Sequence, residues 1–181
     1  MERFRIVMSG SGGQGVITAA VILAEAAVLY EDLTAVQSQA YGPEARGGAA
    51  RSDVIISDSE IHFPKVIQPN VLVCLTQMAY NKFVPIIRPG GLLITDNRHV
   101  TTEPRIDAKQ IELPLYNLVM DEIGKPIVFN ICMLGALIRL IDIVRPESIL
   151  KVLEKRVPSN FIGMNQKALD LGYTLAEKFI K

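Results

Sequence analysis

Two glycine-rich stretches carry the residue types and spacings that could do chemistry. The first, Gly10-Ser11-Gly12-Gly13-Gln14-Gly15, follows the apolar run FRIVMS and fits the pattern G-x-G-x-x-G. In that setting Gly10 permits a tight turn, Gly12 lets the backbone approach a phosphate, and Gly15 lets strand and helix pack closely. The N-terminus of the helix that follows would offer N–H groups and partial positive charge to an anion. Gln14, at the mouth of the loop, can both donate and accept hydrogen bonds. The second half of a dinucleotide fingerprint is missing. It needs an acidic residue about 20 residues on to hold the ribose hydroxyls. Here that region reads AVQSQAYG: Ser38 and Gln39 are neutral, and Asp32 precedes the strand. There is no G-x-x-x-x-G-K-[ST] motif either. The loop alone leaves nucleotide binding and structural packing open, and it disfavours NAD.

The second stretch is Tyr41-Gly42-Pro43-Glu44-Ala45-Arg46-Gly47-Gly48. Gly47 and Gly48 let the backbone lie close to another chain. Arg46 suits a bidentate contact with a carboxylate or phosphate, and Glu44 places the opposite charge on the same loop. A surface ion pair in a turn would contribute little. A loop at the carboxyl end of a second strand, however, lies where open α/β sheets place their sites. No residue pair reads as a nucleophile with its base, so no catalytic residue is assigned. His62 and His99 lack metal-ligand partners and read as loop or surface residues. Cys74 (VLVCLT) and Cys132 (FNICML) read as buried thiols of a reducing cytoplasm. They are too few for a four-cysteine iron–sulfur cluster, and no metal site is expected.

The elements that must position these loops follow from periodicity. Residues 4–9 read as a buried strand and 34–39 as the second strand; with the helix at 15–30 between them they form a parallel crossover unit. That helix has one charged residue, Glu25, so it should be covered on more than one side, by the sheet and by something else. Further strands are expected at 51–58, 71–76 and 92–96, with a short one at 111–114, and a helix at 77–87. From about 115 the pattern is helical, in four segments: LYNLVMDEIG, PIVFNICMLGALIRLID, PESILKVLEKRV and MNQKALDLGYTLAEKFIK. Asn130 is the one polar residue of an apolar helix; buried, it must find partners or cost about 1–3 kcal/mol, and it is expected to tie helix to loop. Asn165, Ala168 and Gly172 fall on one side of the last helix, where small residues allow close packing. The whole predicts an α/β fold, a Rossmann-like open, mostly parallel sheet with a helical C-terminal third, as one domain over residues 1–181.

Composition narrows the function classes. Lys plus Arg and Asp plus Glu are both 19, so nothing in the charge suggests nucleic acid or an anionic membrane as partner. The longest apolar segment, between Lys125 and Arg139, is shorter than the ~20 residues a bilayer span needs. The N-terminus does not read as a signal peptide, so the expected location is cytoplasmic.

Taken together, GSGGQG at 10–15 and YGPEARGG at 41–48 resemble the gamma subunit of 2-oxoacid:ferredoxin oxidoreductases. Asn130, Leu134 and Gly135 in FNICMLGAL are similar to that family's N-x-x-x-L-G element, and Asn165, Ala168 and Gly172 in NQKALDLG to its C-terminal N-x-x-A-x-x-x-G helix. Within the family the Gly-Pro-Glu-Ala-Arg-Gly-Gly loop is most like 2-oxoglutarate-type gamma subunits; pyruvate-type ones tend to a G-x-E-R-R-G-A version, and branched-chain relatives stay open. The resemblance implies a CoA-dependent oxidative decarboxylation to an acyl-CoA and carbon dioxide, with electrons passed to ferredoxin. It implies thiamine diphosphate, Mg2+ and iron–sulfur clusters on partner subunits, CoA as co-substrate, and alpha and beta subunits as partners, with a small ferredoxin-like delta subunit as a further one. Both loops would then meet a ligand or a subunit interface. The alternative reading is a stand-alone nucleotide- or CoA-binding module that uses the first loop as its phosphate site.

Overall fold

The continuous apolar runs VLVC and LLIT become the centre of the sheet. A computed structural model of the chain describes residues 3–39 and 48–180. In chain order the elements are β1 (Phe4–Ser11), α1 (Val16–Tyr30), β2 (Thr34–Gln39), β3 (Ala49–Ser57), β4 (Val71–Cys74), α2 (Gln77–Phe83), β5 (Gly91–Asp96), β6 (Ala108–Leu113), α3 (Leu115–Glu122), α4 (Phe129–Ile141), α5 (Pro146–Arg156) and α6 (Ser159–Glu177). The strands form one six-stranded sheet in the order β2-β3-β1-β4-β5-β6. β1, β4, β5 and β6 pair in parallel, whereas β3 is antiparallel to both β1 and β2.

The α/β class, the mostly parallel sheet and the helical C-terminal third agree with the sequence reading. The crossover unit needs correction. β1 and β2 point the same way, but they are not neighbours, because β3 lies between them. The cause is the connection from Gln39 to Ala49. A parallel return needs a crossover of a dozen or more residues, and this shorter link turns the chain straight back. The strand expected at 111–114 is longer, starting at Ala108, and the last helix begins at Ser159 rather than at 164.

Alternate residues of each strand serve two cores. Ile6, Met8, Val73 and Ile94 face α1, α4 and the other C-terminal helices; Val7, Ile55, Leu72 and Leu93 face α2. α1 is packed on its inner side by the sheet, α4 and α5, while its outer stripe of Ile17, Val28 and Leu29 stays exposed. On the second face the segment from 58 to 70 lies against the sheet. It is pinned by a half-buried pair: Arg51 Nε donates to Asp53 Oδ1 at 2.6 Å, and Arg51 Nη2 to Asp53 Oδ2 at 3.0 Å. The same two side chains take up the backbone of Val66, whose N–H donates to Asp53 Oδ2 and whose carbonyl accepts from Arg51.

The seam between α1 and α5 depends on acid. Glu31 accepts from the Arg145 N–H at 2.9 Å and from the Ser148 hydroxyl at 2.6 Å, as well as from the Arg145 guanidinium. Burial pushes its carboxyl up, but these donors outweigh burial and hold it below the usual carboxylate range. Glu25 is lowered as well, chiefly by its hydrogen bond from Arg156. A carboxyl lowered by folding binds its proton less tightly in the folded chain than in the unfolded one. Its contribution is therefore complete above the unfolded value and lost as the pH falls through the folded one. Glu31→Gln is expected to be less stable than wild type at about pH 7, and the gap should narrow as the pH falls through and below the usual carboxylate range. Urea midpoints of both proteins across that range provide the measurement; a gap that did not change with pH would refute it.

Candidate functional site at the carboxyl edge of the sheet

The glycine loop ends β1 and starts α1. Gly12 and Gly13 are exposed, and Gly13 has φ +90°. Gly15, the residue before α1, has φ 72° and lies against the Asn130 amide, 2.5 Å from where a Cβ would stand. A side chain there would be both strained and obstructed, so the last glycine is required on two counts. No side chain caps α1, and its first turn holds no acidic residue. The Asn130 Nδ2 donates to the Gly15 carbonyl at 3.2 Å, which links α4 to the loop. Gln14 does not project outward: its Oε1 accepts the Ser11 N–H at 2.8 Å.

Of the second loop, Tyr41, Gly42, Pro43, Glu44, Arg46 and Gly47 lie outside the described residues, and Gly48 is a half-buried bend. The register places the start of β3. Ser11 pairs with Ala49 and Gly10 with Ala50, so Gly48 enters β3 beside the glycine loop. Asn165 is elsewhere: it is buried in α6 and donates to the Phe161 carbonyl one turn back at 2.9 Å.

The same edge holds a carboxylate that the sequence reading did not single out. Asp96, at the end of β5, is fully buried. Its Oδ2 accepts the Tyr116 N–H at 2.8 Å, which caps the first turn of α3, and its Oδ1 accepts the Arg98 N–H at 3.2 Å. His99 Nδ1 lies 2.8 Å from the same Oδ1. His99 does sit in a loop, the turn after β5, but it is not loose there: its ring is a third exposed, held by Asp96 and set edge-on to Tyr116 at 4.9 Å. The available signal was the D-x-x-H spacing. His62 is exposed.

The thiols are ill suited to chemistry. Burial pushes both Cys74 and Cys132 up to about 12, with the Ser9 hydroxyl partly offsetting it at Cys74 and the Asp96 charge adding to it at Cys132. Both stay protonated at neutral pH, and only the thiolate is a nucleophile or metal ligand. They also belong to different cores, Cys74 beneath α2 and Cys132 on α4. Among the described residues no cluster of His, Cys, Asp and Glu could hold a metal ion, and no helix is long and apolar enough to cross a membrane.

The fold and its edge define an open α/β protein whose glycine loop is braced by the amides of Gln14 and Asn130. The chain belongs to the pyruvate ferredoxin/flavodoxin oxidoreductase family, whose profile matches residues 5–175. It is 48% identical, over 97% of its length and 95% of the relative's, to the 2-oxoglutarate synthase subunit KorC of Methanocaldococcus jannaschii. Its fold matches the gamma subunit of a keto/oxoacid ferredoxin oxidoreductase from Geobacter sulfurreducens with a TM-score of 0.87 and 40% identity, covering 97% of this chain and 99% of that one. The fold also recurs, at 23% identity and a TM-score of 0.88, in the 2-oxoglutarate:ferredoxin oxidoreductase of Magnetococcus marinus, where all of this chain corresponds to 32% of a longer one.

Proposed function

We propose that this chain is, as a single domain over residues 1–181, the gamma subunit of a 2-oxoglutarate:ferredoxin oxidoreductase of the cytoplasm. The observation that carries this reading is the 48% identity to a 2-oxoglutarate synthase subunit along nearly the full length of both chains. The complex would convert a 2-oxoacid and CoA to acyl-CoA and carbon dioxide and pass the electrons to ferredoxin. Thiamine diphosphate with Mg2+ would supply the carbanion chemistry there, and iron–sulfur clusters the electron path. The residues of this chain do not fit a cluster: its two thiols are protonated and sit in separate cores. In this reading the clusters, and with them thiamine diphosphate and Mg2+, are carried by alpha and beta partners, with a small delta subunit as a further carrier.

The part left to this chain is to shape a surface. The loop at 10–15 lies beside the entry to β3 at Gly48, and we assign that edge, together with the loop at 41–48, to the partners and to the path of CoA. Glu44 and Arg46 would make a charged contact with a partner, the kind of bidentate recognition for which a guanidinium is suited. Asn130 and Asn165 act structurally, one bracing the glycine loop and the other satisfied within α6. The test is reconstitution. The purified chain is expected to show no CoA-dependent reduction of ferredoxin with 2-oxoglutarate. Turnover should appear when the alpha and beta subunits are added, and should exceed that with pyruvate or 3-methyl-2-oxobutanoate. Turnover by the chain alone, or a complex that prefers either other acid, would refute the assignment.

A further inference from the structure

α1 has almost no polar face, yet part of its apolar surface is uncovered. It rests on β3 and β2, and its helix neighbours are α4 and α5. Ile17, Val21 and Val28 recur at helical spacing on one side. Ile17 and Val28 are exposed, Val21 is half-buried, and the exposed Leu29 extends the stripe at the end of the helix. A helix face turned to water carries charge. The one charged residue of α1 is Glu25, and it is already matched: it accepts from the Arg156 guanidinium of α5 at 2.5 and 2.7 Å.

β2, beneath α1, is the outermost strand on that side of the sheet. The two edges of the sheet differ. β6 is guarded: it carries Lys109 and Glu112, and the chain before it closes over it. Thr102 donates to the Glu112 carboxylate, and the Gln110 side chain donates to the Glu103 carbonyl. β2 reads TAVQSQ, with no charge and no proline. Its register with β3 runs from Thr34 to Gln39 without a bulge, and among the described residues its backbone bonds to no other backbone. Charge, proline and bulges are the devices that keep an edge strand from pairing with another chain, and β2 has none of them.

We propose that a second copy of this chain covers both features. β2 of each copy pairs antiparallel with β2 of the other about a twofold axis, which joins the two sheets into one. The α1 helices pack stripe to stripe above the new pair. Three observations favour a copy over an unrelated strand. The strand and the stripe are neutral, so neither opposes like charges when it meets itself. The six-residue strand and the 15-residue helix are of similar length, about 20 and about 22 Å, so the antiparallel repeat is in contact along both. Glu25 and Arg156 lie beside the middle of α1 and are both partly exposed. The axis presents the same pair in reverse order, which sets each carboxylate toward the other copy's guanidinium. The surface is the flank of the sheet, not its carboxyl edge, and the proposal does not rest on the oxidoreductase reading.

The experiment is sedimentation equilibrium of the full-length chain from about 5 to about 200 µM. The wild type is expected to reach twice the mass of one chain within that range. Val28→Glu charges the stripe and Val36→Lys charges the edge strand. Each should weaken the dimer at least about tenfold, with circular dichroism reporting that the variant is folded. Hydrogen exchange of the 15N-labelled wild type locates the contact: amides of β2 should slow as the chain is concentrated through the transition. A wild type that stays monomeric throughout would overturn the proposal. So would a dimer that Val28→Glu leaves intact while folded, or one whose β2 amides exchange no slower. A monomer whose β2 amides slow only when alpha and beta subunits are added would give the face to them and overturn the second copy. The sedimentation readings come from the free chain, so they are separate from whether the oxidoreductase assignment survives reconstitution.

Discussion

Gly172→Ala is expected to lose about 3 kcal/mol of stability, a fall of roughly 6–12 °C in Tm for a chain of this size. α4 and α6 cross with their backbones in contact. A Cβ on Gly172 would strike the Cys132 carbonyl oxygen, 2.8 Å from its carbon and 3.0 Å from the Ala136 nitrogen. The contact is reciprocal: a Cβ on Gly135 would strike the Leu169 carbonyl oxygen and lie 3.0 Å from the Tyr173 nitrogen. Both obstacles are backbone, so no rotamer change relieves them, and the helices must separate. Separation would open the core around Met133, Leu137 and Leu169, which are all fully buried. A control sits on the same helix. Gly163, in α6, has nothing within 4 Å of its Cβ position. Gly163→Ala should therefore stabilise by about 0.5–1 kcal/mol through helix propensity alone. Thermal and urea unfolding of the two variants decide the matter. Equal gains in the two variants would mean that the crossing tolerates a Cβ at Gly172 and that helix propensity alone governs both sites.

This crossing also shows what the sequence could and could not convey. Spacing alone put Asn165, Ala168 and Gly172 on one helix side, because the helical period fixes which residues share a face. It could not say that Gly172 meets a carbonyl rather than a side chain, which depends on how near the partner helix comes. The central strands were legible because a strand buried on both faces reads as an unbroken apolar run, as in VLVC. The reversal of β3 was not, since a hydrophobic pattern has no direction; only the shortness of the link from Gln39 to Ala49 held the information. The early start of α6 was hidden because Ser159 and Asn160 read as loop, although Pro158 before them marks a helix entry.

At the edge of the sheet, residue types were legible and directions were not. The sequence showed that Gln14 can donate and accept, but its inward turn follows from the position of Leu75, which is 61 residues away in the chain. Asn130 was legible as a polar residue that must find a partner. That the partner is Gly15 follows from α4 packing over the start of α1. Asp96 passed unnoticed because an aspartate after an apolar strand reads as an ordinary turn residue. Its total burial distinguishes it, and burial is a property of the assembled fold.

Asp96→Ala is accordingly expected to be among the most damaging substitutions at this edge, at about 3–4 kcal/mol. The carboxylate serves three groups at once: the Tyr116 N–H that opens α3, the Arg98 N–H of the following turn, and the His99 ring. Truncation takes the acceptor from part-buried donors and leaves a cavity where the buried carboxylate stood, which together cost more than the hydrogen bonds themselves contribute. Asp96→Asn should be milder, since it keeps one acceptor oxygen but turns an N–H₂ toward groups that donate. Urea unfolding should rank the proteins wild type, Asn, Ala in falling stability; an alanine variant as stable as wild type would show that the turn and α3 are held without the carboxylate. Cys132 gives a second reading. Asp96 is the lesser cause of its raised thiol and burial the greater, so loss of the charge alone should leave Cys132 protonated at neutral pH. Rapid alkylation of Cys132 in the folded Asp96→Asn protein would mean instead that the substitution has opened α4 to solvent. The role of Asp96 would then be to keep that helix seated beneath the glycine loop.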